Sequence, residues 1–415
     1  LFLVWMCVPQ RRRDKLPRWL AGLLVLVEVG YCFVFFKTGA LPALGIYTQQ
    51  WVTQANGFLL NFTVALRYSA LDKPEDYSRD RVLELAEEYP AVEADGSVTR
   101  PVNIIAIMNE SWADFESFGN LSLSESVTDF IDSLDNCIRG HCYTSVFGAG
   151  TSASEFEFLT GNSMAFLPSG SIPYQQYILD DAPSMASLLK EAGYRTLAFH
   201  PGERTSWQRD RAYPRLGFDQ FKCGEDMDVP QSMEHGYVSD RSDFEQIIWE
   251  FEHKAEGEPL FLFNVTIQNH GSYTVEDYPA QVRLTDAPGK YPMAEQYLTL
   301  ANETDRAFQQ LIDYFSRQEE PTILLMFGDH QPSVEQEFLD RAYGVRQEDM
   351  TMEQYMGRFR VPFVLWANYP VEWDGPEETS LNFLGQYLLR YAGIEGDPYG
   401  AFLWDLQKTL PALTF

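Results

Sequence analysis

Thr322-Ile323-Leu324-Leu325-Met326-Phe327 runs directly into Gly328, Asp329 and His330. Such a run is too short for an ordinary helix and lacks polar alternation, the pattern of a strand buried on both faces of a parallel sheet. Three other stretches repeat the design. Val102-Asn103-Ile104-Ile105-Ala106-Ile107-Met108 leads to Asn109 and Glu110, and Tyr194-Arg195-Thr196-Leu197-Ala198-Phe199 leads to His200. Phe261-Leu262-Phe263-Asn264-Val265-Thr266-Ile267 leads to Gln268, Asn269 and His270. Strands of an open parallel sheet point the same way, and ligands bind at their carboxyl ends. Glu110, His200, His270, Asp329 and His330 are therefore expected on one edge of one sheet. A single strand ending in Asp-His is weak evidence; four such endings are strong, and they hold three of the six histidines in the chain.

Between these runs the spacing predicts crossover helices over 182–192, closed by Gly193, and over 291–315. A further strand over 361–366 and a helix over 380–391 complete the sheet, with Pro362 suggesting a position near that strand's start or at a sheet edge. The fold class is α/β, a mainly parallel central sheet flanked by helices.

Phe147-Gly148-Ala149-Gly150-Thr151-Ser152-Ala153-Ser154-Glu155-Phe156 sets glycines before a Thr-Ser pair at the start of an amphipathic helix. There the helix dipole and free N–H groups favour an oxyanion or phosphate. Alone, Thr151 reads as a helix cap. Beside a metal it reads as a nucleophile, because a coordinated alkoxide attacks at neutral pH. A ligand set of Glu, Thr oxygen, Asp and His suits Mn²⁺ or Mg²⁺, admits Zn²⁺ and excludes a thiolate site.

Sixty acidic against 31 basic residues give a formal charge of -29. No large basic surface is available for a nucleic-acid backbone, which excludes that partner class. A phosphorylated substrate stays allowed, since a bound cation supplies local positive charge. The five cysteines form no C-x-x-C pair; Cys137 and Cys142 read equally as a bridge or as two free thiols.

The chain opens on apolar Leu1 to Val8, then Arg11, Arg12, Arg13 and Lys15, then an apolar run from Trp19 to Phe36 interrupted by Glu28. At about 1.5 Å per residue that run covers roughly 27 Å, close to a bilayer's hydrocarbon thickness. Residues 1–45 are thus expected to be a membrane anchor, the end of one span plus a transmembrane helix. The arginines lie in the cytoplasm and everything beyond Lys37 outside. Residues 46–99 form a juxtamembrane segment, with 47–71 lying on the membrane or on the enzyme and 72–81 a linker. Residues 100–415 form the extracytoplasmic catalytic domain.

Glu110 in Met-Asn-Glu-Ser, Thr151 in Gly-Thr-Ser-Ala-Ser-Glu-Phe, and Asp329 with His330 in Phe-Gly-Asp-His resemble the lipoteichoic acid synthase family of the alkaline phosphatase and sulfatase superfamily. The resemblance covers roughly residues 100 to 395 and the preceding anchor. It implies that Glu110, Thr151, Asp329 and His330 bind one metal, commonly manganese. The segment from His200 to Asp210 is similar to the family's glycerol-phosphate-binding segment, keeping His200, Trp207 and Arg209, with Gln208 where Asn is usual. Asn269 and His270 resemble the loop that contacts phosphate, although Gly271 and Ser272 depart from the usual apolar residues.

What this implies is transfer of phosphoglycerol from phosphatidylglycerol, through a phospho-Thr151 intermediate, to a glycolipid or polymer acceptor at the cell membrane. His270 would contact the phosphate or protonate the leaving alcohol, Arg209 would fork onto the phosphate, and Trp207 and His200 would frame the glycerol. A sulfatase activity would need C/S-x-P-x-R at the nucleophile and does not fit. A phosphoethanolamine transferase, a phosphodiesterase or phosphatase, and an inactive binding module are the alternatives.

Overall fold

The computed structural model describes residues 18–37, 57–58, 62, 73–89, 101–168, 170–394 and 396–414. It divides into two compact units, 1–72 with 168–170, and 73–167 with 171–415. In the first unit the expected span is helical over Arg18–Lys37 (α1), and Trp19, Leu26, Val27, Val29 and Phe33 along it are exposed. Among the described residues no helix is long and apolar enough to cross a membrane. Most of the expected juxtamembrane stretch lies outside the described residues; in the second unit, part of the expected linker opens a helix, Arg79–Glu88 (α2), capped by the Ser78 side chain.

The second unit is built on an eight-stranded sheet. Its strands are β1 (Asn103–Asn109), β2 (Cys137–Tyr143), β3 (Arg195–His200) and β4 (Gln220–Cys223), then β7 (Leu260–Val265), β8 (Thr322–Gly328), β9 (Arg360–Ala367) and β10 (Glu378–Ser380). Met233–Glu234 (β5) and Tyr237–Val238 (β6) form a separate hairpin. The order in the large sheet is β10-β2-β9-β8-β1-β7-β3-β4. All neighbours pair in parallel except β9, which runs against both β2 and β8. Pro362 therefore sits in an inner strand rather than at an edge, near the start of β9 and opposite His141.

Period-two alternation divides the strands between two cores. Ile104, Ala106 and Met108 of β1, with Ile323, Leu325 and Phe327 of β8, pack on one face. There they meet helices Thr151–Thr160 (α3), Met185–Glu191 (α4), Arg209–Arg215 (α5) and Leu381–Tyr391 (α8). Ile105, Ile107, Leu324 and Met326 face the other way, onto Asp240–Glu252 (α6) and Pro292–Phe315 (α7). The predicted crossover helices are thus present, each a little shorter than the sequence pattern suggested. Cys137 and Cys142 are free. They stand five positions apart on β2, which turns their side chains to opposite faces, so one strand cannot bridge them.

Helix α3 is buried along all ten residues, although it contains Glu155 and Glu157. Buried charge is tolerated only when paired or neutralised, and the two glutamates take one course each. Arg209 donates from Nε to Glu155 Oε1 at 2.9 Å and from Nη2 to the same oxygen at 2.5 Å. Tyr213 donates to Glu155 Oε2 at 2.7 Å. Glu157 has no cationic partner: Ser145 Oγ and the Met164 N–H each donate to Oε1 at 2.8 Å, and Oε2 has no partner. Burial pushes its carboxyl from 4.5 to about 7.

Two outcomes follow from these glutamates. The native Glu157 keeps its proton to about pH 7 while the unfolded chain releases it near 4.5. The native state therefore binds more protons between those values, and the Glu157 contribution to stability falls by about 3 kcal/mol as pH rises through that window. Glu157→Gln should remove that component from denaturant midpoints measured between pH 4.5 and 7.5. Arg209→Met strands the Glu155 charge and should cost about 3–5 kcal/mol in equilibrium urea unfolding, most of it recovered in the Glu155→Gln/Arg209→Met double variant.

Candidate metal centre and nucleophile

Three strand ends build the centre. Glu110 follows β1, and its backbone N–H donates to Thr266 Oγ1 at 3.0 Å beyond the end of β7. Asp329 and His330 follow β8. Asp329 Oδ1 accepts from the Ser111 N–H at 2.7 Å and from the His330 N–H at 2.8 Å, tying the exits of β1 and β8 together. Gly328 makes this closeness possible, since a Cβ there would lie 2.1 Å from the Trp112 carbonyl oxygen. Ser111 bends the chain through φ 54° and donates from Oγ to Glu110 Oε1 at 2.9 Å.

The electrostatics of this cluster call for a cation. His330 Nδ1 lies 3.0 Å from the Gln331 carbonyl oxygen, which places the ring proton on Nδ1 and a lone pair on Nε2. That lone pair faces Asp329 Oδ2 at 3.3 Å and Glu110 Oε1 at 3.7 Å. Asp329 Oδ2 is buried without a hydrogen-bond partner. One donor atom from each of Glu110, Asp329 and His330 lies within 4.8 Å of the others. Burial and then the Glu110 charge push the Asp329 carboxyl up to about 6, with His330, the Ser111 N–H and the Thr151 hydroxyl acting the other way. Acceptors converging without a proton between them fit a divalent ion, and two carboxylates with one imidazole suit Mn²⁺, Mg²⁺ or Zn²⁺.

Thr151 is the first residue of α3 and is 6% exposed. Gly150 precedes it at φ 107°, a left-handed turn that a side chain would obstruct, because a Cβ there would lie 2.8 Å from Val146 Cγ1. Ser154, one turn on, donates to the Asp329 carbonyl at 2.6 Å. The helix start is thereby fixed against the loop that carries Asp329, and the Thr151 hydroxyl lies close enough to act on the Asp329 carboxylate.

The remaining predicted residues divide. His200, at the end of β3, is 5% exposed and has Nδ1 2.8 Å from the Val265 carbonyl. Burial, Arg209 and His270 hold its pKa well below the ordinary value, so it is neutral. Gly202 leaves room for its ring, since a Cβ there would lie 2.4 Å from His200 Nε2. His270 is exposed, with Nδ1 2.7 Å from the Gly271 carbonyl and 3.1 Å from the Tyr237 hydroxyl, which leaves Nε2 for exchange. Trp207 is half-buried against the core, at φ 58°. Gln208 follows at φ 63°. Asn, usual there in the family that the sequence resembles, tolerates that backbone better. Arg209 differs from expectation: it is 1% exposed and its Nε and Nη2 are committed to Glu155, because a fully buried carboxylate on α3 needs a cation.

Ser111, Thr266 and Tyr237 were not legible in the sequence. Only Thr266 carried a signal, as a polar residue at the end of an apolar run.

The sulfatase family profile matches residues 102–394. A Rhizobium meliloti protein named for cyclic beta-1,2-glucan modification is 29% identical over 97% of this chain and 64% of its own length. A lipoteichoic acid synthase of Staphylococcus saprophyticus is 24% identical over 70% of this chain and 43% of its own. The chain thus spans less than two thirds of either relative. Among solved structures, the Streptococcus pyogenes phosphoglycerol transferase GacH, in complex with sn-glycerol-1-phosphate, superposes with a TM-score of 0.68 at 19% identity, covering 82% of this chain and 88% of that one. With the profile running from the first strand of the sheet to just beyond α8, this chain belongs to the sulfatase family.

Proposed function

We propose that the chain is a metal-dependent phosphotransferase that moves phosphoglycerol from phosphatidylglycerol to a glycolipid or polymer acceptor through a phosphorylated Thr151. The observation that carries this reading is the convergence of three proton-free acceptors, Glu110 Oε1, Asp329 Oδ2 and His330 Nε2, beside the first residue of α3. A divalent cation held by Glu110, Asp329, His330 and the Thr151 oxygen, Mn²⁺ in our reading, would lower the pKa of the Thr151 hydroxyl and screen charge on the phosphoryl group. The Thr151 oxygen bonds to phosphorus as the bond from phosphorus to the lipid alcohol breaks. The free N–H groups at the start of α3 face the phosphoryl oxygens. His270 gives a proton to the departing alkoxide from Nε2; in the second step it takes one from the acceptor hydroxyl as that oxygen bonds to phosphorus and the bond from phosphorus to the Thr151 oxygen breaks.

His200 and Trp207 frame the glycerol in this reading, and Arg209 acts chiefly by holding Glu155 and thus α3. The glycerol-phosphate complex of the structural neighbour supports the head group. The name of the glucan-modifying relative favours a glycan as the final acceptor. We place the enzyme at the cell membrane with its catalytic unit outside.

Incubation with labelled phosphatidylglycerol and Mn²⁺ should release diacylglycerol and leave a phosphoglycerol mass on the Thr151 peptide. Thr151→Ala should abolish both, a loss of at least a thousandfold, and chelation with EDTA should do the same reversibly. Equal turnover by wild type and Thr151→Ala would end the proposal, and an adduct of another mass on Thr151 would replace phosphoglycerol as the group transferred.

A further inference from the structure

Among the described residues two arginines are buried, and the fold treats them differently. Arg209, the cation that the sequence places at the phosphate, has its Nε and Nη2 on Glu155. Arg358 stands in the turn Gly357–Phe359 just ahead of β9 and is 8% exposed. Among the described residues it has neither a carboxylate partner nor a hydrogen-bond acceptor. A chain with 60 acidic and 31 basic residues supplies counter-charges easily, so a buried guanidinium without one calls for a reason. Arginine keeps its charge in proteins and carries five N–H donors, and buried charge is tolerated only when compensated.

Two aromatic rings supply part of the compensation. The guanidinium carbon of Arg358 lies 4.3 Å from the Phe147 ring centroid and 5.7 Å from that of Tyr355. Such contacts offset the charge but give its N–H groups no oxygen. Nε is sealed from solvent without a partner, whereas the two Nη groups, equally without one, are not sealed. An incoming anion can therefore reach the Nη pair, whose fork fits two oxygens of one oxyanion.

The turn is tied directly to the centre through Gln331, the residue after His330. Gln331 Nε2 donates to the Gly357 carbonyl at 2.9 Å and to the Arg360 carbonyl at 2.6 Å, one on either side of Arg358. The Gln331 carbonyl accepts from the Gly148 N–H at 3.0 Å and lies 3.0 Å from His330 Nδ1. The Thr144 N–H donates to the Phe359 carbonyl at 2.8 Å, which holds the segment leading to Thr151 against the same turn. Strand β9 runs against β8 with Phe363 opposite Phe327, so its start lies beside the end of β8. Phe147, against which Arg358 rests, precedes Thr151 by four residues, a path of at most about 14 Å. Arg358 thus stands on the sheet edge that carries Asp329 and His330.

We infer that Arg358 is a phosphate subsite beside the metal centre, its two Nη groups taking oxygens of a phosphate monoester or diester. The inference rests on the phosphotransferase reading for the choice of phosphate among oxyanions, but binding is measured apart from transfer. Calorimetry of the full chain with sn-glycerol 1-phosphate and with inorganic phosphate, with Mn²⁺ and after EDTA, should detect millimolar or tighter binding. Arg358→Met, which keeps the stem, should weaken it at least tenfold in protein whose thermal midpoint shows it folded. Arg358→Lys keeps the charge but loses the fork, and should weaken binding at least threefold. Arg358-dependent binding that persists without metal assigns the subsite to a second phosphate of the ligand. Binding that needs both Mn²⁺ and Arg358 assigns it to the phosphoryl group beside Thr151. Wild type that binds phosphate through Arg358 but forms no Thr151 adduct would count against the phosphotransferase reading and leave the subsite standing. No phosphate binding by folded wild type, or affinity unchanged in Arg358→Lys and in folded Arg358→Met, would overturn the subsite.

Discussion

The Asp329 carboxylate lies just beyond the central β8, where it is fully buried, and among the described residues no Lys or Arg pairs with it. One oxygen is satisfied by two backbone N–H groups, from Ser111 and His330. The other is left facing a histidine lone pair and, close by, a second carboxylate. That arrangement stitches the exits of β1 and β8 into one loop cluster, and it is unfavourable unless a cation completes it. The position of Glu110, the bend at Ser111 and the absence of a side chain at Gly328 all follow from bringing those two exits together.

The start of α3 depends on the same cluster from the other side. Helix α3 begins at Thr151 and is anchored by Ser154 on the Asp329 carbonyl, so its register relative to the metal loop is fixed by a short bond. Burying all of α3 makes that register rigid, but it also buries Glu155 and Glu157. The fold answers the first with Arg209 and Tyr213 and the second by protonation. Arg209 thereby links the segment carrying Trp207 to the helix carrying Thr151.

A buried polar stratum lies behind the centre. Asn109 donates to Asp240 at 2.9 Å, Asn269 to Asn109 at 2.9 Å, and Thr304 to Asp240 at 2.6 Å. Burial raises the Asp240 carboxyl to about 6. These bonds lock the loop ahead of His270 to β1 and to helices α6 and α7. A loop that bears an exposed histidine is therefore held by side chains that see no solvent. Buried bonds of this kind give the loop its rigidity, although Asp240 Oδ1 has no partner of its own.

The four apolar runs ending at Glu110, His200, His270 and Asp329-His330 were sufficient in the sequence to set the parallel sheet, because strand length and burial are written locally in residue type. The glycine-flanked Thr151 was equally legible, since a left-handed turn before a helix leaves few choices. The partner of Arg209 was not, for a charged residue's partner is chosen by proximity across the fold, and Glu155 is 54 positions away. Strand β2, with its glycine, arginine and histidine, was hidden because its stability comes from β9 and β10 rather than from its own composition. The sequence by itself determined that Glu110, His200, His270, Asp329 and His330 stand at or beyond the ends of strands of one sheet. Only the tertiary structure decided their protonation and pairing, because those depend on burial and on neighbours brought in from hundreds of residues away.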